Sequence, residues 1–121
     1  MIDHVGFEVS QLERSAAFYD AVFLALGGRR MHTGEHAIAY GMSAPCFWIA
    51  VRGRAPAPGY GHVALHARGR AAVAGAHRAA LSHGGLDDSP PAAHPRYGAR
   101  YYAAYVRDPD GLRVEFVSGS R

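Results

Sequence analysis

Three residues carry the chemistry this sequence could perform. His4 opens an apolar–polar alternation, Asp3-His4-Val5-Gly6-Phe7-Glu8-Val9, and His62 opens a near copy of it, Gly61-His62-Val63-Ala64-Leu65-His66-Ala67. Successive side chains of a strand point to opposite faces, so Val5, Phe7 and Val9 share one face and His4, Gly6 and Glu8 the other. Glu115 stands in Leu112-Arg113-Val114-Glu115-Phe116-Val117, where Val114 and Phe116 take one face and Arg113, Glu115 and Val117 the opposite one. Two imidazoles and one carboxylate in one cavity make a mononuclear site for iron, manganese, nickel or zinc, with positions left for a substrate. Taken singly, each has a plain alternative: a hydrogen-bonded strand histidine, or a glutamate on a wet face. The repeated placement of the two histidines sets them apart from the rest of the eight.

The elements that must position these residues follow a duplicated plan. After the first strand, Ser10-Gln11-Leu12-Glu13 predicts a capping box, with Ser10 as N-cap and Glu13 reaching back. Leu12, Ala16, Tyr19, Phe23 and Leu26 then repeat at helical spacing until Gly27-Gly28 ends the helix. Three short strands are expected near 29–33, 35–42 and 45–52, and a Pro/Gly-rich connector runs from 53 to 60. The second half opens with the His62 strand, continues with an alanine-rich helix from about 70 to 83, and then a loop from 87 to 98 that carries Pro90, Pro91 and Pro95. Alternation at 100–107, the turn Asp108-Pro109-Asp110-Gly111 and a last strand at 112–118 complete it. Both halves read β-α-β-β-β, an internal duplication. The expected fold class is α+β: one domain over 1–121, its modules 1–53 and 60–121 pairing into a curved mixed-sheet cup with helices outside.

Composition narrows the function classes. A chain of 121 residues, 49% hydrophobic and 19% charged, is long enough for one globular core and too apolar to stay disordered. No apolar run has the length of a membrane span, and the N-terminus lacks the basic-then-apolar pattern of a leader, so the cytoplasm is the expected location. One cysteine, Cys46, excludes an intrachain disulfide and a cysteine zinc site, and is expected to be buried. The net charge of +3 comes from arginines without lysine, scattered singly or in pairs; without a basic stripe, a nucleic-acid partner is not expected. A small-molecule ligand is.

The duplicated plan, His4-Val5 against Gly61-His62-Val63, and the closing Asp108-Pro109-Asp110-Gly111-Leu112-Arg113-Val114-Glu115-Phe116 together resemble the vicinal oxygen chelate superfamily over essentially the whole chain. That superfamily includes glyoxalases, bleomycin-resistance proteins, fosfomycin-modifying enzymes and extradiol dioxygenases. The resemblance implies a sheet cup around a divalent metal, often in a homodimer, with the metal chelating adjacent oxygens of a substrate. Position by position, His4, His62 and Glu115 match its metal ligands. One position departs: aligning the strand Cys46-Phe47-Trp48-Ile49-Ala50-Val51 with the closing strand sets Trp48 opposite Glu115, where many glyoxalase-type members have a fourth, carboxylate ligand. Lactoylglutathione lyase chemistry uses such a carboxylate as a base, and this chain offers none there.

Three activities remain open on these residues. The first is a metal-dependent lyase or isomerase-like enzyme, which fits the short chain. The second is an extradiol-type dioxygenase using His4, His62 and Glu115 as a two-histidine, one-carboxylate iron site. The third is a ligand-sequestering protein with an aromatic crevice, built from Trp48, Phe47, Tyr40, Tyr101 and Tyr102. Candidate acid or base groups are His36, His66, Tyr101 and Tyr105, each with an ordinary role as a turn or strand residue as the alternative. Arg100 joins Trp48, Phe47, Tyr40 and Tyr101 as a candidate substrate contact, since a guanidinium fork suits anionic ligands. The remaining histidines, His32, His77, His83 and His94, read as structural.

Overall fold

The computed structural model describes residues 1–57 and 59–120. The first half consists of β1 (Val5–Glu8), α1 (Leu12–Leu26), β2 (Arg29–Thr33), β3 (Ala37–Gly41) and β4 (Pro45–Ala50). The second consists of β5 (His62–His66), α2 (Arg70–Ser82), β6 (Leu86–Ala93), β7 (Tyr102–Arg107) and β8 (Arg113–Ser118). Each half forms its own four-stranded sheet, in the orders β1-β4-β3-β2 and β5-β8-β7-β6, with the first pair parallel and the others antiparallel. The α+β class and the β-α-β-β-β order of both halves are therefore as the sequence implies.

Alternation decides which face of each sheet is buried. Val5, Phe7, Ile38, Tyr40, Phe47 and Ile49 from the first sheet join Val63, Leu65, Ala104, Val106, Val114 and Phe116 from the second in one core. The helices supply the rest, Phe18, Tyr19, Val22 and Phe23 from α1 and Val73, Ala76 and Ala80 from α2, and pack on each other. Alanines on α2 keep its surface low, so that Phe18 lies within 2.7 Å of where a Cβ on Gly85 would stand. Both sheets thus give one face to a shared helical core, and their other faces, which carry no helix, turn away from it. His4, Gly6, Glu8 and Trp48 alternate onto that second face of the first sheet; His62, Tyr105, Glu115 and Val117 do so on the second.

Three local readings need correction. Ser10 is not a helix cap: the N-cap of α1 is Gln11, without a side-chain cap, while the Ser10 amide and hydroxyl both donate to Asp110, at 3.0 and 2.5 Å. The hydroxyl gives its proton to the ionised carboxylate, and its oxygen accepts from Arg14 at 2.7 Å rather than from a helix amide. The expected 87–98 loop is largely β6, with Pro90 and Pro91 inside it. Prolines are tolerated there because β6 is the sheet edge, where an amide need not pair, and its register slips between Ser89 and Ala92. Cys46 is exposed rather than buried, since it shares the helix-free face with Trp48. Gly27, by contrast, ends α1 as expected, at φ 87°, a left-handed conformation that costs glycine nothing.

Candidate functional site

Glu115 is the centre of the site. It is 1% exposed, although it faces away from the main core. Parallel pairing sets Ala64 of β5 opposite Glu115 and His62 opposite Arg113, so the His62 side chain leans along the same face. His62 Nε2 lies 3.0 Å from Glu115 Oε1, and Tyr101 Oη donates to Glu115 Oε2. Tyr105, the cross-strand partner of Glu115 on β7, has its ring edge-on to His62 with centroids 5.9 Å apart. Burial first, then the negative charge of Glu115, pushes the Tyr105 phenol up to about 12. Tyr101, Ala103 and Tyr105 form a second small cluster on this face, flanked by Tyr97 and Val117.

The register also fixes the place of Trp48. Val5 pairs with Phe47 and Gly6 with Trp48, as Val63 pairs with Val114 and Ala64 with Glu115. With His4 over His62, Trp48 therefore occupies the position of Glu115 in the first sheet. Its ring lies against His32 at 5.4 Å, and no carboxylate stands there.

The other candidates divide. Phe47 and Tyr40 turn to the helix side and are almost fully buried, Phe47 against Tyr19 at 4.8 Å and Tyr40 stacked on Phe23 at 4.9 Å. They are packing residues, not ligand surface, because their neighbours in alternation took the other face. Tyr102 also packs toward the core, under the Arg70 guanidinium. His36 is exposed beside Glu35 between β2 and β3, and lines a separate hollow of about 800 Å³ with Arg52 and Arg54. His66 is exposed at the far end of β5, opposite Val117, and Arg100 is exposed just before β7. His4 is exposed too, its Nδ1 2.7 Å from Asp3. It does not join His62 and Glu115 in the chain: among the described residues, no three His, Cys, Asp or Glu side chains converge as a metal site would require.

Two contributors escaped the sequence reading. His94 lies against the rings of Tyr97, Tyr101 and Tyr105, at 6.1–6.4 Å, and its buried Nε2 has no hydrogen-bond partner. Arg113 stacks 4.1 Å over Tyr105. His94 read as structural because it follows β6, a strand whose pattern two prolines interrupt. Arg113 was legible from alternation with Glu115. Beside the site, a cleft of about 700 Å³ opens between Gly6, Phe7 and Glu8 of β1 and Gly61 and His62 at the start of β5.

The family model for the glyoxalase/bleomycin resistance protein/dioxygenase superfamily matches residues 1–116. The chain belongs to this superfamily. Among solved structures, a glyoxalase/bleomycin resistance protein from Albidiferax ferrireducens is 30% identical, with a TM-score of 0.87, covering 97% of this chain and 98% of that one. A glyoxalase-related enzyme from Fulvimarina pelagi is 25% identical at TM-score 0.77, covering 97% and 86%. A variant of the fosfomycin resistance protein FosX from Listeria monocytogenes, complexed with Mn(II) and 1S,2S-dihydroxypropylphosphonic acid, shares the fold at TM-score 0.73 and 16% identity, over 99% and 90%. No curated protein matches the sequence. No helix among the described residues is long and apolar enough to cross a membrane.

Proposed function

We propose that this superfamily member is a metal-dependent enzyme of the lyase or isomerase-like kind, acting on a small substrate that presents two adjacent oxygens. One observation carries the reading: a carboxylate 1% exposed, on a face with no helix, is met by an imidazole and a phenol rather than by an arginine. Burying an ionised carboxylate is costly unless it is paired with a cation. An imidazole nitrogen and a carboxylate oxygen 3.0 Å apart are a donor pair that a divalent ion fits between. The FosX relative holds Mn(II), which supports the same chemistry here.

His62 and Glu115 would hold the metal, and His4 would be the third ligand. His4 sits at the corresponding place on the helix-free face of the other sheet, so a second copy laying that face over His62 and Glu115 supplies it. The functional unit in this reading is a homodimer with shared sites. The metal, when bound, polarises the two substrate oxygens as a Lewis acid. The chain's own residues do the rest. Tyr101 orients Glu115 through its hydroxyl, as an outer-shell partner of a ligand does. Tyr105 presents a phenol beside the same carboxylate, and the cleft at His62 admits the substrate. With Trp48 in the fourth-ligand position, a proton relay of the lactoylglutathione lyase type lacks its base. A single exposed thiol suits a reducing cytoplasm.

Elemental analysis of untagged protein, beside Glu115→Ala and His4→Ala, tests this reading. Near-stoichiometric metal in the wild type and its loss in both variants are expected. Unchanged stoichiometry in Glu115→Ala would overturn the ligand assignment. Iron as the native metal would favour dioxygenation. No metal, even after divalent ions are added, would leave a sequestering protein whose ligand stacks on Trp48 and His32.

A further inference from the structure

Three charged residues on the second sheet have no part in the reading above. Arg107 and Arg113 are cross-strand partners at the turn end of β7 and β8, and alternation places both on the helix-free face. Asp88 of β6 accepts from Arg113 Nε at 2.7 Å and lies 3.6 Å from Arg107 Nε. Two guanidiniums share one carboxylate, so one positive charge is left over. Arg107 is engaged with the turn through a hydrogen bond to the Gly111 carbonyl. Arg113 is not: with Nε on Asp88, its Nη nitrogens make no hydrogen bond among the described residues, and its side chain is 33% exposed.

The position of Arg113 gives this charge a purpose. It pairs with His62 across β5 and β8, stands two residues before Glu115 on the same face, and lies 4.1 Å over the centre of the Tyr105 ring. Asp88 and Tyr105 together hold the guanidinium in one orientation, which lowers the entropic cost of its next hydrogen bonds. A free, oriented pair of Nη groups matches a carboxylate bidentately.

We infer that the substrate bears a carboxylate beside its two adjacent oxygens, and that Arg113 binds it. Asp88 is the positioning residue for that contact. The inference rests on the metal reading for where the vicinal oxygens sit, and the test separates the two. Calorimetry with catechol and 3,4-dihydroxybenzoate, which share the same vicinal oxygens and differ by one carboxylate, is run on wild type, Arg113→Gln and Arg113→Lys, with and without Mn(II). The wild type is expected to bind the carboxylate-bearing ligand about tenfold more tightly, a difference of about 1.4 kcal/mol. Arg113→Gln should bring the ratio close to one, and Arg113→Lys should restore part of it, which a merely structural loss would not. Equal affinities in the wild type, a preference that survives Arg113→Gln, or binding of neither ligand would overturn the proposal. Dependence of catechol binding on Mn(II) reads the metal assignment alone, so either idea can fail while the other stands.

Discussion

A buried carboxylate needs a reason, and Glu115 has two neighbours that give it one. His62 and Tyr101 occupy its two oxygens, so removing one donor leaves part of a buried charge unsatisfied. Tyr101→Phe should therefore lower the stability of the metal-free protein by about 1–3 kcal/mol, the range for a hydrogen bond to a charged group. Urea unfolding under chelator checks it, and a loss below about 0.5 kcal/mol would mean that Glu115 is satisfied without Tyr101. Duplication marked His62 and alternation put Glu115 on its face, and these two do meet; His4, marked by the same duplication, does not join them in the chain. The same alternation, applied one residue along, turns Phe47 and Tyr40 into the core. A strand's aromatics cannot all be ligand surface, and Trp48 on the helix-free face excludes Phe47 from it. Asp88 and His94 were hidden for another reason: Asp88 stands on β6 and His94 follows its end, in a stretch whose prolines read as a loop.

The elements are joined by a turn whose two aspartates do separate jobs. Asp108 closes the turn, its carbonyl accepting from Gly111 at 2.9 Å and its carboxylate from the amides of Asp110 and Leu112. It also accepts from Tyr19 Oη of α1, at 2.7 Å and fully buried. Asp110 reaches the N-terminal end of the same helix, accepting from Ser10 and from Arg14 at 2.9 Å. The turn motif thus ties the first helix to the last strand, and the hydrophobic pattern holds no trace of it. Sequence reading found the turn from its proline and glycine, yet assigned Ser10 to a local cap, because a partner a hundred residues away leaves no periodic signal. Burial raises the Asp108 carboxyl above the ordinary carboxylate value, although Tyr19 and the two amides pull it back. Asp108→Ala removes three acceptor contacts and strands the Tyr19 hydroxyl in the core, an expected loss of about 3 kcal/mol. Tyr19→Phe should then cost about 1–2 kcal/mol less in that background than in the wild type, since the two share one contact. Strict additivity in a denaturant double-mutant cycle would show that the contact contributes nothing.

At the scale of the whole molecule, one core serves two sheets, and His4 does not reach His62 and Glu115 within the chain. α1 and α2 pack on each other and on one face of each sheet, so the faces carrying His4 in one sheet and His62 with Glu115 in the other are left without a helix. The duplication was readable as two modules, but nothing in a periodic pattern says whether module pairs with module in one chain or between two. The first sheet's free face holds the sole tryptophan, Trp48, half-buried near exposed His4 and Cys46. A second copy seated there would take Trp48 out of water, because an apolar ring at the centre of such a contact is desolvated. Its emission should shift to the blue as protein concentration rises through the range in which sedimentation shows dimers forming, and return on dilution. His4→Ala should leave that shift in place, since it removes little contact area, while metal content falls if His4 is the third ligand proposed above. Dimers that form with no change in Trp48 emission would put the interface on another face, and with it would go the sharing of His4 between subunits.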